Sequence, residues 1–309
     1  MSGFTQTSCV ELQMSQKAVG RSSKTRVFCL HSTSKTIMFQ FNFKVEEQAK
    51  EDHKDEDEVK KESAKEAAQV VACEEVFPEG FSAEEDTSAC TLFISGDLEI
   101  PILDPVKVRN ESAEETHSDL IPGVYEGGFK VWECTQDLAD YLVENLKGEL
   151  SGKEVLDLGC GAGLLGIVAL KLGAAKCHFQ DYNKDVLQKF TIPNILLNAE
   201  ADGEVSIGKC QFYSGDWGSF TEATGDRKFD VILTSETIYN PENNQKVIDL
   251  FVGKLRRGGK VLLAAKTYYF GVGGGLRQFE GMTKGRMACA SVWRNCEGVS
   301  REIIKIEHM

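Results

Sequence analysis

The sequence predicts an α/β fold: a doubly wound, mostly parallel seven-stranded sheet with helices on both faces. Three observations carry this. In Val155-Leu-Asp-Leu-Gly-Cys-Gly-Ala-Gly-Leu-Leu-Gly166 a short apolar strand breaks into Gly159, Gly161 and Gly163, and a helix follows at once. Strand, glycine-rich turn and helix form the nucleotide-binding corner of such folds. From residue 118 onward, strand and helix patterns alternate, as βαβ units require. Val231-Ile-Leu233 and Val261-Leu-Leu-Ala-Ala265 are continuously apolar, which suits strands covered on both faces.

The elements follow in order. Residues 1–37 are rich in Ser and Thr and carry Lys17, Arg21, Lys24, Arg26 and Lys35 against a single Glu11. Mitochondrial transit peptides share that composition, as does a disordered or non-native upstream extension. Residues 38–117 read as an acidic, largely disordered region: Glu, Lys, Asp and Ala dominate 44–75 and offer little apolar surface to bury. Short apolar pieces, Leu92-Phe-Ile94 and Ile100-Pro-Ile-Leu103, are expected to drape over the domain that occupies 118–309. Within it, Leu138, Tyr141, Leu142 and Leu146 are spaced for a helix over 132–147. Strands are expected at 154–158, 176–180, 210–213, 229–234 and 260–265, and helices at 164–172, 185–198 and 241–255. After Ala265 the pattern leaves a short helix at 276–282, weakened by Gly281, and strands at 286–292 and 301–306.

Composition narrows the function. Residues 1–118 hold 13 Lys+Arg and 23 Asp+Glu, net −10, whereas 119–309 hold 22 and 25, net −3. No long basic face is present, which argues against direct nucleic-acid binding. The acidic third is either a solubilising face or an attractor for a basic partner such as a ribosomal protein. The ten cysteines include no C-x-x-C pair and no zinc spacing, so they read as reduced thiols and no metal site is expected. The longest apolar run, Leu164 to Leu170, is far short of the roughly 20 residues needed to span a bilayer. No secretory apolar segment is visible.

The candidate site grows from the glycine loop. Gly161-Ala-Gly-Leu-Leu-Gly166 fits the dinucleotide pattern, a weak signal alone. Asp157, two residues before Gly159, discriminates: a carboxylate inside the loop repels a pyrophosphate but welcomes a ligand bearing an ammonium and a sulfonium. Asp157-x-Gly159-x-Gly161 is therefore the loop expected for S-adenosylmethionine, with methyl transfer as the chemistry. The plain alternative is a structural glycine turn. Asp181, 22 residues after Gly159, is placed to take the ribose hydroxyls; capping the next helix is the other reading. Asp216-Trp217, after the third strand, suit the adenine, the acid accepting from the amino group and the indole covering the ring. Glu236 and Tyr239, in Thr234-Ser-Glu-Thr-Ile-Tyr239, follow the fourth strand, where substrate meets cofactor at the switch point. A Glu there orients a nucleophilic nitrogen or accepts its proton. Phe270-Gly-Val-Gly-Gly-Gly275 is expected to be a mobile or sharply bent loop, either a substrate rim or lid or a plain flexible connection. His178, inside a strand, reads as a core residue.

Together, Ser118 to Cys134, the Asp157 loop, His178-Phe-Gln-Asp-Tyr-Asn183, Thr234-Ser-Glu-Thr-Ile-Tyr-Asn-Pro241 and Tyr269-Phe-Gly-Val-Gly-Gly-Gly275 resemble the histidine protein methyltransferase family, the methyltransferase-like 18 type. This family belongs to the seven-strand, Rossmann-like class I methyltransferases and is akin to the family-16 protein methyltransferases. Glu236-Thr-Ile-Tyr239 matches the wider group's E/D-x-x-Y signature, and Met38-Phe-Gln-Phe-Asn-Phe43 resembles the family's start. The resemblance covers about 118–275. It implies Trp132 and Ser235 as further cofactor-binding residues. It also implies a cytoplasmic and nuclear enzyme that methylates a histidine ring nitrogen of a large-subunit ribosomal protein. A lysine methyltransferase of the same group is the nearest alternative, and a non-catalytic module that docks on ribosomal proteins is another.

Overall fold

The computed structural model describes residues 26–32, 35–41, 70–80, 90–112, 120, 123–201, 203–295 and 297–309. The chain divides into two units, Met1–Glu66 and Ala67–Met309. In the first, β1 (Arg26–Ser32) and β2 (Lys35–Phe41) pair antiparallel, from Arg26↔Phe41 to Ser32↔Lys35. No element was expected over 1–37, yet Val27, Phe28, Ile37 and Phe39 supply the β-branched and aromatic content that favours strands. The rest of the expected extension, the segment 44–69 and the side chains of Met38–Phe43 lie outside the described residues.

The second unit holds an eight-stranded sheet in the order β11-β12-β10-β9-β6-β7-β8-β3. Its parallel centre is β6 (Glu154–Leu158), β7 (Lys176–Asp181), β8 (Cys210–Ser214), β9 (Phe229–Ser235) and β10 (Leu255–Lys266). Two antiparallel strands, β11 (Met287–Asn295) and β12 (Arg301–His308), close one edge. These are the seven expected strands. The eighth, β3 (Glu74–Val76), pairs antiparallel with β8. β10 begins at Leu255, expected to be helical, because Leu255 pairs with Phe229 before a register shift ahead of Lys260. Along β6 the side chains alternate between two cores: Val155 packs on one face, and Leu156 and Leu158 pack on the other.

Helices α2 (Glu133–Asn145) and α3 (Leu164–Lys171) cover the Val155 face. A Cβ on Gly166 would lie 2.2 Å from Phe179 Cε1, so this position must stay small for α3 to reach the sheet. The next helical stretch runs from α4 (Lys184–Val186) through a π turn, Leu187–Thr191, into α5 (Ile192–Ala201). The opposite face carries α6 (Trp217–Ala223), α7 (Asn244–Lys254) and α8 (Leu276–Thr283).

The domain boundary falls earlier than the expected residue 118. The hairpin of β4 (Cys90–Ser95) and β5 (Leu98–Leu103), followed by α1 (Pro105–Ser112), places Phe93, Ile100, Ile102 and Val108 in the core. Asn194 Oδ1 accepts from Leu103 N–H at 2.8 Å, and Asn198 Nδ2 donates to Pro101 O at 2.8 Å. Acidic composition pointed to disorder over 38–117; buried apolar side chains and these two asparagines hold 90–112 in place.

Candidate active site

The strand ends β6, β7, β8 and β9 open onto one cavity of about 280 Å³. All ten nominated residues line it: Trp132, Asp157, Gly159, Gly161, Asp181, Asp216, Trp217, Ser235, Glu236 and Tyr239. The glycines hold the loop's shape. Gly159 and Gly161 have φ of 65° and 49°, in the left-handed region that favours glycine. A Cβ on Gly159 would stand 2.7 Å from Thr237 Cγ2, and one on Gly161 would stand 3.0 Å from Gly128 O.

Asp157 is buried, and its Oδ2 accepts from Gly166 N–H at 2.8 Å in the first turn of α3. Burial pushes its carboxyl up to about 8 against the pull of that hydrogen bond, and nearby Asp181 pushes the same way. The charge assigned to the ligand's cations thus also ties β6 to α3. Asp181 Oδ2 accepts from Gly161 N–H and Oδ1 from Asn183 N–H, both at 3.0 Å. It braces the loop, while Asn183 occupies the helix N-cap without a side-chain capping bond, its Oδ1 accepting from Glu126 N–H and its Nδ2 donating to Val124 O instead. Burial raises the Asp181 carboxyl to about 6, with a smaller push from Glu126.

Asp216 lines the cavity and also has a structural role. Its Oδ1 caps α6 by accepting from Gly218 N–H at 2.8 Å, and its Oδ2 pairs with Lys246 Nζ at 2.7 Å. Both oxygens have a protein partner, as those of Asp181 do, and each keeps a lone pair for a ligand N–H. Trp217 begins a helix where a loop was expected, and its Nε1 donates to Gln180 Oε1 at 2.9 Å, fixing the indole along the cavity. Trp132 Nε1 donates to Gly127 O at 3.2 Å, with Lys130 Nζ 4.4 Å and Lys266 Nζ 5.4 Å from its ring. The Ser235 and Thr135 hydroxyls meet at 2.9 Å.

Glu236 is the one non-glycine residue with positive φ among the described residues, at 58°. Such strain persists where surrounding structure enforces it, and it clusters at functional sites. Glu236 N–H donates to Ala264 O at 3.0 Å, which pins the left-handed turn to β10. Its Oε1 is buried, makes no hydrogen bond and lies 3.4 Å from Lys266 Nζ.

A second cavity of about 340 Å³ adjoins the first, and the two share Glu126, Trp132, Glu236 and Tyr239. Lys266, Tyr268, Tyr269 and Phe270 also line it, so the glycine-rich loop does form a rim. It is bent and hydrogen-bonded: Tyr269 N–H donates to Gly274 O at 2.8 Å and Gly273 N–H to Tyr269 O at 2.9 Å. Two lining residues escaped sequence reasoning, Lys266 and Glu126. Glu126 Oε1 accepts from Gly123 N–H at 2.6 Å, while its Oε2 is buried without a partner. Burial pushes this carboxyl up. In the sequence it is marked only by its place in Tyr125-Glu-Gly-Gly128, between Ser118 and Cys134. His178 is core, as expected: it is fully buried, pairs with Glu154 at 2.9 Å and is held down to about 4, first by burial and then by Arg227.

Residues 123–269 match the family described as lysine methyltransferase. This stretch resembles a methyltransferase domain. It is similar to proteins named histidine protein methyltransferase 1 homolog. The identity is 48% over 187 residues with that of Mus musculus, covering 53% of this chain and 51% of that protein. It is 46% over 193 residues with that of Dictyostelium discoideum, covering 61% and 60%. The Bos taurus protein is 46% identical over 188 residues, covering 53% and 50%. The chain spans about half to three-fifths of the length of these relatives. Among solved structures, a Streptococcus mutans protein described as a candidate SAM-dependent methyltransferase superposes with a TM-score of 0.50 at 13% identity, covering 72% of this chain and 56% of that one. This likeness agrees with the class I fold.

S-adenosylmethionine is the cofactor of such a domain, and the residues present fit it. The glycine cradle leaves backbone exposed, and Glu126 Oε2 and Glu236 Oε1 are buried acceptors without hydrogen bonds facing the cavity. They suit a ligand rich in N–H, O–H and positive charge, and not a pyrophosphate.

Proposed function

We propose that this chain is an S-adenosylmethionine-dependent protein-histidine N-methyltransferase whose substrate is a large-subunit ribosomal protein, in the cytoplasm and nucleus, without direct contact to nucleic acid. The observation that carries the reading is the meeting of two cavities at Glu126, Trp132, Glu236 and Tyr239. One cavity has the polar glycine cradle of a nucleoside site. The other is aromatic and opens beside Phe270, which is 83% exposed, as a protein substrate requires. The similarity to proteins named as histidine methyltransferases supports the choice of acceptor.

When bound, the cofactor supplies an electrophilic methyl group on a sulfonium. The chain then has three tasks. Asp181 and the Gly159–Gly161 loop hold the nucleoside, and Trp217 walls the adenine side. Trp132 and Tyr239 exclude water where the chambers meet, which favours a reaction whose charge disperses in the transition state. Glu236 accepts the ring N–H of the incoming imidazole, turning the other nitrogen's lone pair toward the methyl group. A neutral imidazole, with an unperturbed pKa of about 6.5, is nucleophilic near pH 7 without a strong base. Orientation is therefore the main requirement, and a carboxylate fixed by a strained backbone supplies it.

A second reading, lysine methylation, is favoured by the description of the family matched over 123–269. Incubation with radiolabelled S-adenosylmethionine and an extract of large-subunit ribosomal proteins, followed by hydrolysis, separates the two. Methylhistidine is the expected product. Methyllysine sinks the first reading and leaves the cofactor site intact.

A further inference from the structure

The substrate chamber contains an ammonium of the protein's own. Lys266 leaves the end of β10 and lines this chamber with Trp132, Glu236 and Tyr239. Its side chain is 18% exposed, and its Nζ lies 3.1 Å from Glu133 Oε2 and 3.4 Å from Glu236 Oε1. The same atom stands 5.4 Å from the Trp132 ring centre. A carboxylate beside an aromatic face is the recognition chemistry for an alkylammonium. Here Lys266 already supplies the cation beside both partners, while Glu236 Oε1 still has no hydrogen bond and can accept one from a neutral ring N–H. Burial works against the Lys266 charge, but Glu236 and Glu133 outweigh it and raise its pKa, so the group stays charged. The other acid lining this chamber, Glu126, also lines the cofactor cavity, and no ion pair joins it to Lys266 among the described residues.

We propose that Lys266 is a specificity-determining residue: its ammonium fills the slot between Glu236 and Trp132 that a substrate lysine would need, leaving the chamber to a neutral imidazole. The inference rests on the histidine reading and gives it a physical cause. A lysine substrate would bring a second ammonium against the first. It would also have to lose a proton before its nitrogen could take the methyl group, and Glu236, paired with Lys266, is poorly placed to take that proton. With Lys266 removed, Glu236 is released as the base. The proton passes from the substrate ammonium to Glu236, the amine nitrogen bonds to the methyl carbon, and the sulfur–carbon bond breaks with its electron pair returning to sulfur.

The test compares the wild-type protein with Lys266→Met and Lys266→Arg, each given labelled S-adenosylmethionine and the extract of large-subunit ribosomal proteins. The readout is the ratio of methyllysine to methylhistidine after hydrolysis. Lys266→Met is expected to raise this ratio at least tenfold, and Lys266→Arg, which keeps a cation in the slot, to restore the wild-type ratio. Methylhistidine alone from both wild type and Lys266→Met overturns this inference and leaves the histidine reading standing. Methyllysine as the main wild-type product overturns the histidine reading itself. Should Lys266→Met fail to fold, the wild-type protein saturated with S-adenosylhomocysteine is titrated at pH 8 with imidazole and with n-butylammonium. Binding of imidazole at least tenfold tighter supports the occupied slot, and equal binding overturns it.

Discussion

At the scale of single residues, the site is a set of acids kept from water. Asp157 and Asp181, held up at about 8 and about 6 by burial, are partly protonated in the ligand-free protein near neutral pH. Folding raises both pKa values above the ordinary aspartate value of about 3.9, so they favour the folded state most below pH 4. That contribution fades as pH rises through 6 and on to 8. A cationic ligand reverses the preference. Affinity for S-adenosylmethionine should therefore climb between pH 6 and pH 8 with release of protons, measurable by calorimetry in buffers of different ionisation enthalpy. A flat profile would remove these two acids from ligand recognition. Asp157→Asn keeps an acceptor for Gly166 N–H but loses the charge, and should weaken cofactor binding about tenfold with little change in the unfolding midpoint. Glu126→Gln removes the push on Asp181 and should move the lower limb of the pH profile to lower pH. An unmoved limb would show that Glu126 acts elsewhere.

At the scale of elements, the glycine-rich loop after β10 is the piece most open to test. A Cβ on Gly274 would stand 2.1 Å from Tyr239 O, whereas one on Gly271 would meet nothing within 4 Å. Gly274→Ala must displace either the loop or Tyr239, so kcat should fall more than tenfold while cofactor affinity stays within twofold. Gly271→Ala strains a φ of 87° and should cost only about 1 kcal/mol of stability. Equal kinetics for the two variants would show that the Tyr239 contact is unimportant. This contrast also marks the limit of sequence reading. β6 was placed residue for residue over Glu154–Leu158, because an apolar run ending in glycine has few other solutions. α6 was missed because Asp216 and Trp217 were read for ligand chemistry, although an acid at that position is also a good helix cap. The Lys266 cluster was invisible for another reason. Glu236 and Lys266 lie 30 residues apart and meet because β9 and β10 are neighbours, and Glu133 reaches them from the first turn of α2.

At the scale of the whole molecule, the unit that carries the chemistry begins well before the pattern that announces it. Asp216 N–H donates to Val71 O at 3.0 Å, and Val70 and Val71 line the cofactor cavity. The stretch leading into β3 is thus part of the site's wall. A chain beginning at Ala67 should fold and bind S-adenosylmethionine as the full chain does, because that unit has its own cores. A chain beginning after Val76 loses the wall and the edge strand, and its affinity should drop at least fivefold. Equal affinity for both truncations would show that β3 only covers the sheet edge.

The sequence has three tryptophans, and two of them, Trp132 and Trp217, face the same cavity. Indole emission responds strongly to neighbouring charge, and Trp132 has an ammonium group within 6 Å of its ring on each of two lysines. The protein therefore carries its own optical reporter. Filling the cofactor chamber should change the emission of both Trp132 and Trp217, whereas filling the substrate chamber alone should change that of Trp132, so binding can be followed in real time without a label.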